Sequence, residues 1–142
     1  MIQGDAVGPL FKVIHERMQT AADADLKAQG LTFAQGQVIV FLAEHGSRAL
    51  QKEIEASLGV SHPTVTGLVS RLEKSGFVRT WTDAEDRRNK VVELTDKARE
   101  TGDRLRGTMH ERDRALLAGL DEREQAELIR MLKQVYANVC QR

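Results

Sequence analysis

The stretch GVSHPTVTGLVSRLEKSGFV, residues 59–78, carries the side chains best suited to recognition chemistry. Ser61, His62, Thr64, Thr66, Ser70 and Arg71 fall away from a helical stripe formed by Val65, Leu68, Val69 and Leu72. An ordinary solvated face would carry Glu, Lys and Gln instead. Hydroxyls, an imidazole and a guanidinium can bond phosphates or base edges, and a threonine methyl can meet a thymine methyl. His62 can read a guanine or a phosphate, or stand solvated in the first turn. Arg71, further along, suits a phosphate. Gly67 costs about 1 kcal/mol against alanine inside a helix. It either lets backbone approach a groove or relieves crowding against the preceding helix, and the two readings stand equal. Bond-making chemistry is not expected. Ser61 is needed as a helix cap, and the chain has no Ser/His/Asp order, Gly-rich phosphate loop or paired carboxylates in a pocket-like context.

A second cluster is DAEDRRN, residues 83–89. Arg87 and Arg88 at an exposed hairpin tip suit a minor groove, where narrow A·T tracts concentrate negative potential, and Lys90 beside them is a further candidate DNA contact. Asp86 can orient an arginine fork through a charge-assisted bond. Residues 61–90 hold six basic against four acidic side chains, a local +2. Across all 142 residues, 21 basic and 21 acidic side chains cancel. Zero net charge argues against a nonspecific polyanion binder. It also keeps open a winged-helix module that binds protein without specific DNA binding.

These clusters need elements to hold them. A helix is expected over 7–28, with Leu10, Ile14, Met18 and Ala21 at helical spacing and Gly30 as its stop. Thr32 and Gln35 form a capping box for a second helix running to about Glu44. A third helix, roughly 50–57, places Leu50, Ile54 and Leu58 on one face, and Gly59 closes it. The fourth runs over 61–75. FVRTWT (77–82) and KVVEL (90–94) read as strands. Thr95 caps a long helix with apolar positions at Ala98, Leu105, Met109, Leu116 and Leu120. Asp121 and Glu124 cap a last helix with Leu128, Leu132, Val135 and Val139 on one stripe. Helices three and four make a helix-turn-helix, the hairpin makes a wing, and the fold class is mainly α with a small β-hairpin. The long terminal stripes have little else in the chain to cover them, so a second copy is the economical partner.

The composition, 41% apolar, supports a single domain of this length. No apolar stretch reaches membrane-spanning length and MIQGDAVGPLF lacks signal-peptide character, so a soluble cytoplasmic protein is expected. One cysteine, Cys140, excludes an intramolecular disulfide framework.

The segments LTFAQGQVIVFL (31–42), ALQKEIEASLGVSHPTVTGLVSRLEKSGFV (49–78) and DRRNKVVELT (86–95) together resemble the MarR family of regulators, in register over nearly the whole chain. The resemblance implies a homodimeric winged helix-turn-helix transcription regulator that binds a pseudo-palindromic double-stranded DNA operator; a ligand-responsive repressor is expected, and the sequence does not itself separate repressor from activator. It places the DNA-binding lobe at about 31–95 and dimerisation helices at about 7–28 and 105–141. Helix 61–75 would be the recognition helix and Arg88, paired with Asp86, the minor-groove arginine. Two departures are visible. Ala98 stands where the family commonly has glycine, and Ile54 stands where leucine-alanine is common. Neither threatens the fold.

The resemblance also implies a small aromatic or phenolic effector bound between the dimer helices and the lobe. Phe11, His15, Phe41, His45 and Met109 are candidates to line such a pocket. Ligand binding would act by changing the spacing of the two recognition helices. No cofactor or metal is expected: His15, His45, His62 and His110 show no ligand spacing. Cys140, with Arg142 its only cationic neighbour in sequence, reads as an inert thiol.

Overall fold

A computed structural model describes residues 4–141. Met1–Gln3 lie outside the described residues, as does Arg142, the cation weighed beside Cys140. Among the described residues the order is α1 (Val7–Ala28), α2 (Phe33–Glu44), β1 (Arg48–Leu50), α3 (Gln51–Leu58), α4 (His62–Lys74), β2 (Val78–Thr82), β3 (Lys90–Leu94), α5 (Asp96–Leu116) and α6 (Glu122–Cys140).

The chain forms two compact units, one running to Arg106 and the other from Gly107 to Arg142. In the first, Val38, Ile39 and Leu42 of α2, Ile54 of α3, Val65, Val69 and Leu72 of α4, and Val92 and Leu94 of β3 are fully buried. Helix α2 is buried on every side over Val38–Leu42, whereas α3 and α4 each turn one apolar face to the core and leave the other accessible. Helix α1 contributes Leu26, while its Leu10, Phe11, Ile14 and Met18 are 38–46% exposed. An added Cβ on Gly36 would come within 2.6 Å of the Leu26 side chain, so glycine is what lets α1 and α2 approach.

The caps read from the sequence form. Thr32 and Gln35 exchange the two bonds of a capping box, and Ser61 accepts from the Thr64 backbone N–H. The Ala98 N–H donates to Thr95 Oγ1 at 3.3 Å, and the same hydroxyl donates to the Gly76 carbonyl at 2.7 Å. Thr95 therefore starts α5 and ties it to the end of α4.

The structure departs from the expected elements in four places. The hairpin is part of a three-stranded antiparallel sheet, ordered β1-β3-β2. Leu50, expected to open the third helix, is the last residue of β1 and the backbone cap of α3. Phe77, expected in the first strand, instead closes α4, its N–H donating to the Leu72 carbonyl at 2.9 Å after Gly76 at φ 80°. Leu120, assigned to the long helix, lies beyond it: α5 stops at Leu116 and Gly119 turns the chain at φ 89°.

The second unit holds the end of α5 and α6. Asp121 and Glu124 form the expected capping box. No residue of α6 is buried; Leu132, Val135 and Val139 are 40%, 37% and 69% exposed.

Candidate nucleic-acid interface

Helix α3 ends at Gly59, which takes the left-handed conformation at φ 64°. Gly59, Val60 and Ser61 make the turn, and α4 begins at His62. Pro63 sits where first-turn amides have no helical partner. Burial of Val65, Leu68, Val69 and Leu72 fixes the rotation of α4 and leaves Ser61, His62, Thr64, Thr66, Ser70 and Arg71 exposed. The expected recognition residues thus share one accessible surface.

They are not equally free. The Ser61 hydroxyl caps the helix and lies 2.9 Å from Thr64 Oγ1. His62 Nδ1 is bonded to Glu55 Oε1 of α3. Thr66 Oγ1 accepts from Gln51 Nε2 at 2.9 Å. Gln51 is 4% exposed and also donates to Glu55 Oε1 at 3.2 Å. His62 stays 74% exposed, yet its ring is held across the turn by Glu55. Gln51 and Glu55 did not stand out in the sequence. Their polar character at the start and middle of an amphipathic helix is ordinary, and their partners are 4 to 15 residues away.

Gly67 resolves between its two readings. A Cβ built there meets nothing within 4 Å. There is no crowding against α3 to relieve, so that reading is overturned, and the glycine leaves a bare strip of backbone on the α4 surface.

The wing loop is knit by its own backbone. The Asp83 N–H donates to the Asn89 carbonyl, and the Asn89 N–H to the Asp86 carbonyl, both at 2.9 Å. At its tip Arg88 donates from Nε to Asp86 Oδ1 and from Nη2 to Oδ2, each at 3.0 Å. The Arg88 side chain, and secondarily its backbone N–H, hold the Asp86 carboxyl below the usual range; Asp86 in turn raises Arg88. Among the described residues Arg71, Arg87 and Lys90 are exposed and form no ion pair. This surface offers hydroxyls from a helix and guanidinium groups from a loop, the mixture that suits a polyanion with readable edges.

Behind the tip, Glu93 of β3 is paired in register with Arg48 of β1 and Arg79 of β2. Its carboxylate accepts from Arg48 Nε at 2.7 Å and Arg79 Nε at 2.9 Å. Arg48 first, then Arg79, lower its pKa against the opposing effect of burial. The Arg48 guanidinium also stacks 5.1 Å from the Trp81 ring. Glu93 was read only as a strand residue, because its first partner lies on a strand not foreseen.

Of the effector candidates, Phe41 and His45 come together. Their rings stack with centroids 4.0 Å apart, and His45 Nδ1 lies 2.7 Å from the Phe41 carbonyl. Both line an open cleft of about 550 Å3 with Arg48, Ala49, Glu53, Ala56 and Ser57. Phe11 and His15 are exposed on α1 and are not among its walls. Met109 lies in the second unit and is 50% exposed.

Two helices across a three-residue turn, with a three-stranded wing behind them, define a winged helix-turn-helix protein. The chain belongs to the MarR family, whose members are transcription regulators rather than enzymes. Residues 29–89 match that family. An uncharacterized HTH-type transcriptional regulator of Bacillus subtilis, YwoH, is 35% identical over 131 residues, covering 86% of this chain and 94% of YwoH. A second from the same organism, YfiV, is 41% identical over 69 residues. The match with YfiV spans 49% of this chain and 42% of that relative's length. Among solved structures, S. aureus MepR in DNA-binding conformation is similar with a TM-score of 0.87 and 25% identity, over 95% of this chain and 99% of MepR. Among the described residues no helix is long and apolar enough to cross a membrane.

Proposed function

We propose that this protein is a ligand-responsive repressor that binds a pseudo-palindromic operator as a homodimer. The observation that carries the reading is the bare backbone at Gly67 in the middle of an exposed, hydroxyl-rich α4 face. A helix loses about 1 kcal/mol to such a glycine, and nothing inside the fold needs the space. A duplex groove that must approach the helix closely supplies the reason. In the proposed complex the N-terminal part of α4 enters the major groove and Arg88 enters the adjacent minor groove. S. aureus MepR, similar in fold, has been solved in a DNA-binding conformation, which supports DNA as the partner.

The exposed apolar faces of α1 and of α6 support a dimer, each face being covered by the second copy. Two α4 helices would then address half-sites about one helical turn apart, giving a footprint of roughly 20 base pairs. An effector acts by favouring a dimer geometry in which that spacing fails. It can shift the equilibrium only by its differential affinity for the two states. The Phe41–His45 cleft is the candidate site for an aromatic acid.

A second reading, a module that binds protein and not DNA, is favoured by the acidic Asp83, Glu85 and Asp86 in the wing. Its weakness is that Asp86 is already neutralised by Arg88. Fluorescence anisotropy of the full chain on the intergenic DNA upstream of its own gene, at two salt concentrations and with or without salicylate, separates these readings. Saturable, salt-dependent binding that beats scrambled DNA supports the regulator. Loss of binding with salicylate supports an aromatic-acid effector. If duplexes selected by the protein from a randomised library show no preference either, the operator-binding reading fails.

A further inference from the structure

The exposed recognition side chains are held by residues of the preceding helix. Gln51 is buried, and its amide has two protons. The two shorter contacts of Nε2, to Thr66 Oγ1 at 2.9 Å and Glu55 Oε1 at 3.2 Å, use both. His62 Nδ1, 3.4 Å from the same amide nitrogen, is then the donor to Glu55 Oε1. Among the described residues no buried side-chain N or O lacks a partner, so this α3 amide is satisfied only through Glu55 and a side chain that α4 presents outward.

We infer that Gln51 and Glu55 are positioning residues for DNA reading: from α3 they set the geometry of Thr66 and His62 on α4 before DNA arrives. The inference rests on the proposed function and deepens it. A helical threonine ordinarily turns its hydroxyl to a carbonyl of the preceding turn. Here Thr66 Oγ1 is an acceptor for Gln51, which leaves its O–H as a donor of restricted direction. Base-edge acceptors such as guanine O6 and N7 or thymine O4 are its complement. For His62, the bond from Nδ1 leaves Nε2 as the ring nitrogen available to DNA. Both side chains are stiffened without touching the duplex, so the ordering cost is met on folding and not on binding. The sequence preference of α4 therefore depends on two residues of α3 that need make no DNA contact themselves.

The test uses the full chain and a duplex enriched by the wild type from a randomised library, with a scrambled duplex as reference. Gln51→Leu keeps the volume and removes the amide. It is expected to lower the preference for the enriched duplex about tenfold while leaving affinity for the scrambled one unchanged. Thr66→Val is expected to lower it comparably, and the double variant no further than the worse single one. Thr66→Ser, which keeps the acceptor, retains the dependence on Gln51. Losses that multiply in the double variant, or an equal loss on scrambled DNA, overturn the inference. A second measurement needs no DNA: the Thr66 χ1 couplings by NMR. One rotamer in the wild type and averaging in Gln51→Leu supports the inference; averaging already in the wild type overturns it. Failure of the wild type to enrich any duplex overturns the proposed function instead, and the rotamer measurement still decides whether α3 holds Thr66.

Discussion

Arg88 and Asp86, two residues apart at the tip of the wing, are joined by three hydrogen bonds of 3.0 Å, two from the guanidinium and one from the Arg88 backbone N–H. The Arg88 side chain is 91% exposed, so the fork forms in water with no packing behind it. An isolated pair of that kind contributes little to stability. Its value lies in presenting a flat, oriented cation. Arg88→Ala is expected to weaken operator binding roughly tenfold to hundredfold and to reduce the salt slope by about 1. Asp86→Ala is expected to weaken binding less and to leave that slope unchanged. Anisotropy titrations over a salt series measure both.

Gly67→Ala sets stability against function. With nothing within 4 Å of the new methyl, the variant is expected to melt at the same temperature or higher, gaining up to about 1 kcal/mol from helix propensity. Operator affinity is expected to fall at least tenfold, because the methyl occupies the approach to the groove. Thermal melts and DNA titrations on the same preparation read the two effects. A variant that binds as well as wild type would remove the main support for the proposed docking.

Glu93 gives the fold a pH dependence of definite sign. Its carboxyl, lowered by Arg48 and then Arg79, releases its proton more readily folded than unfolded. The stabilisation is therefore present above the ordinary glutamate pKa of about 4.3, and is lost as pH falls through that value to the lower folded one. Both arginines are more than half exposed, which screens the pairs, so Glu93→Gln is expected to cost about 1–2 kcal/mol at neutral pH. Urea denaturation of wild type and variant should differ at pH 7, and the difference should shrink as pH falls below the ordinary glutamate range.

Val135→Glu on α6 and Ile14→Asp on α1 place charges on faces that are 37% and 46% exposed in the single chain. Neither should unfold the monomer. Each is expected to move sedimentation equilibrium from twice the mass of one chain toward one, and to weaken operator binding in parallel. A wild type that sediments as a monomer while binding DNA specifically would refute the dimer reading.

Much of the architecture was legible because its signals are local. Thr32, Ser61 and Asp121 cap helices through residues three positions away. The stripe Val65, Leu68, Val69, Leu72 fixes which face of α4 is buried from spacing alone. By contrast, β1 is three residues long, too short for alternation to register, and it exists because β3 offers a free edge. Leu120 misled because near-heptad spacing continued across a turn that only Gly119 interrupts.

From sequence alone came the helix-turn-helix, its wing and the exposed polar face of α4, since each depends on neighbours along the chain; Arg88 as the partner of Asp86 came from the family resemblance. Tertiary structure decided three further matters. It set Gln51 and Glu55 behind His62 and Thr66, joined Arg48, Glu93 and Arg79 across three strands, and left the space above Gly67 empty. Each of these rests on where two separate elements cross. A crossing is fixed by the packing of the whole core, and no residue window carries that information.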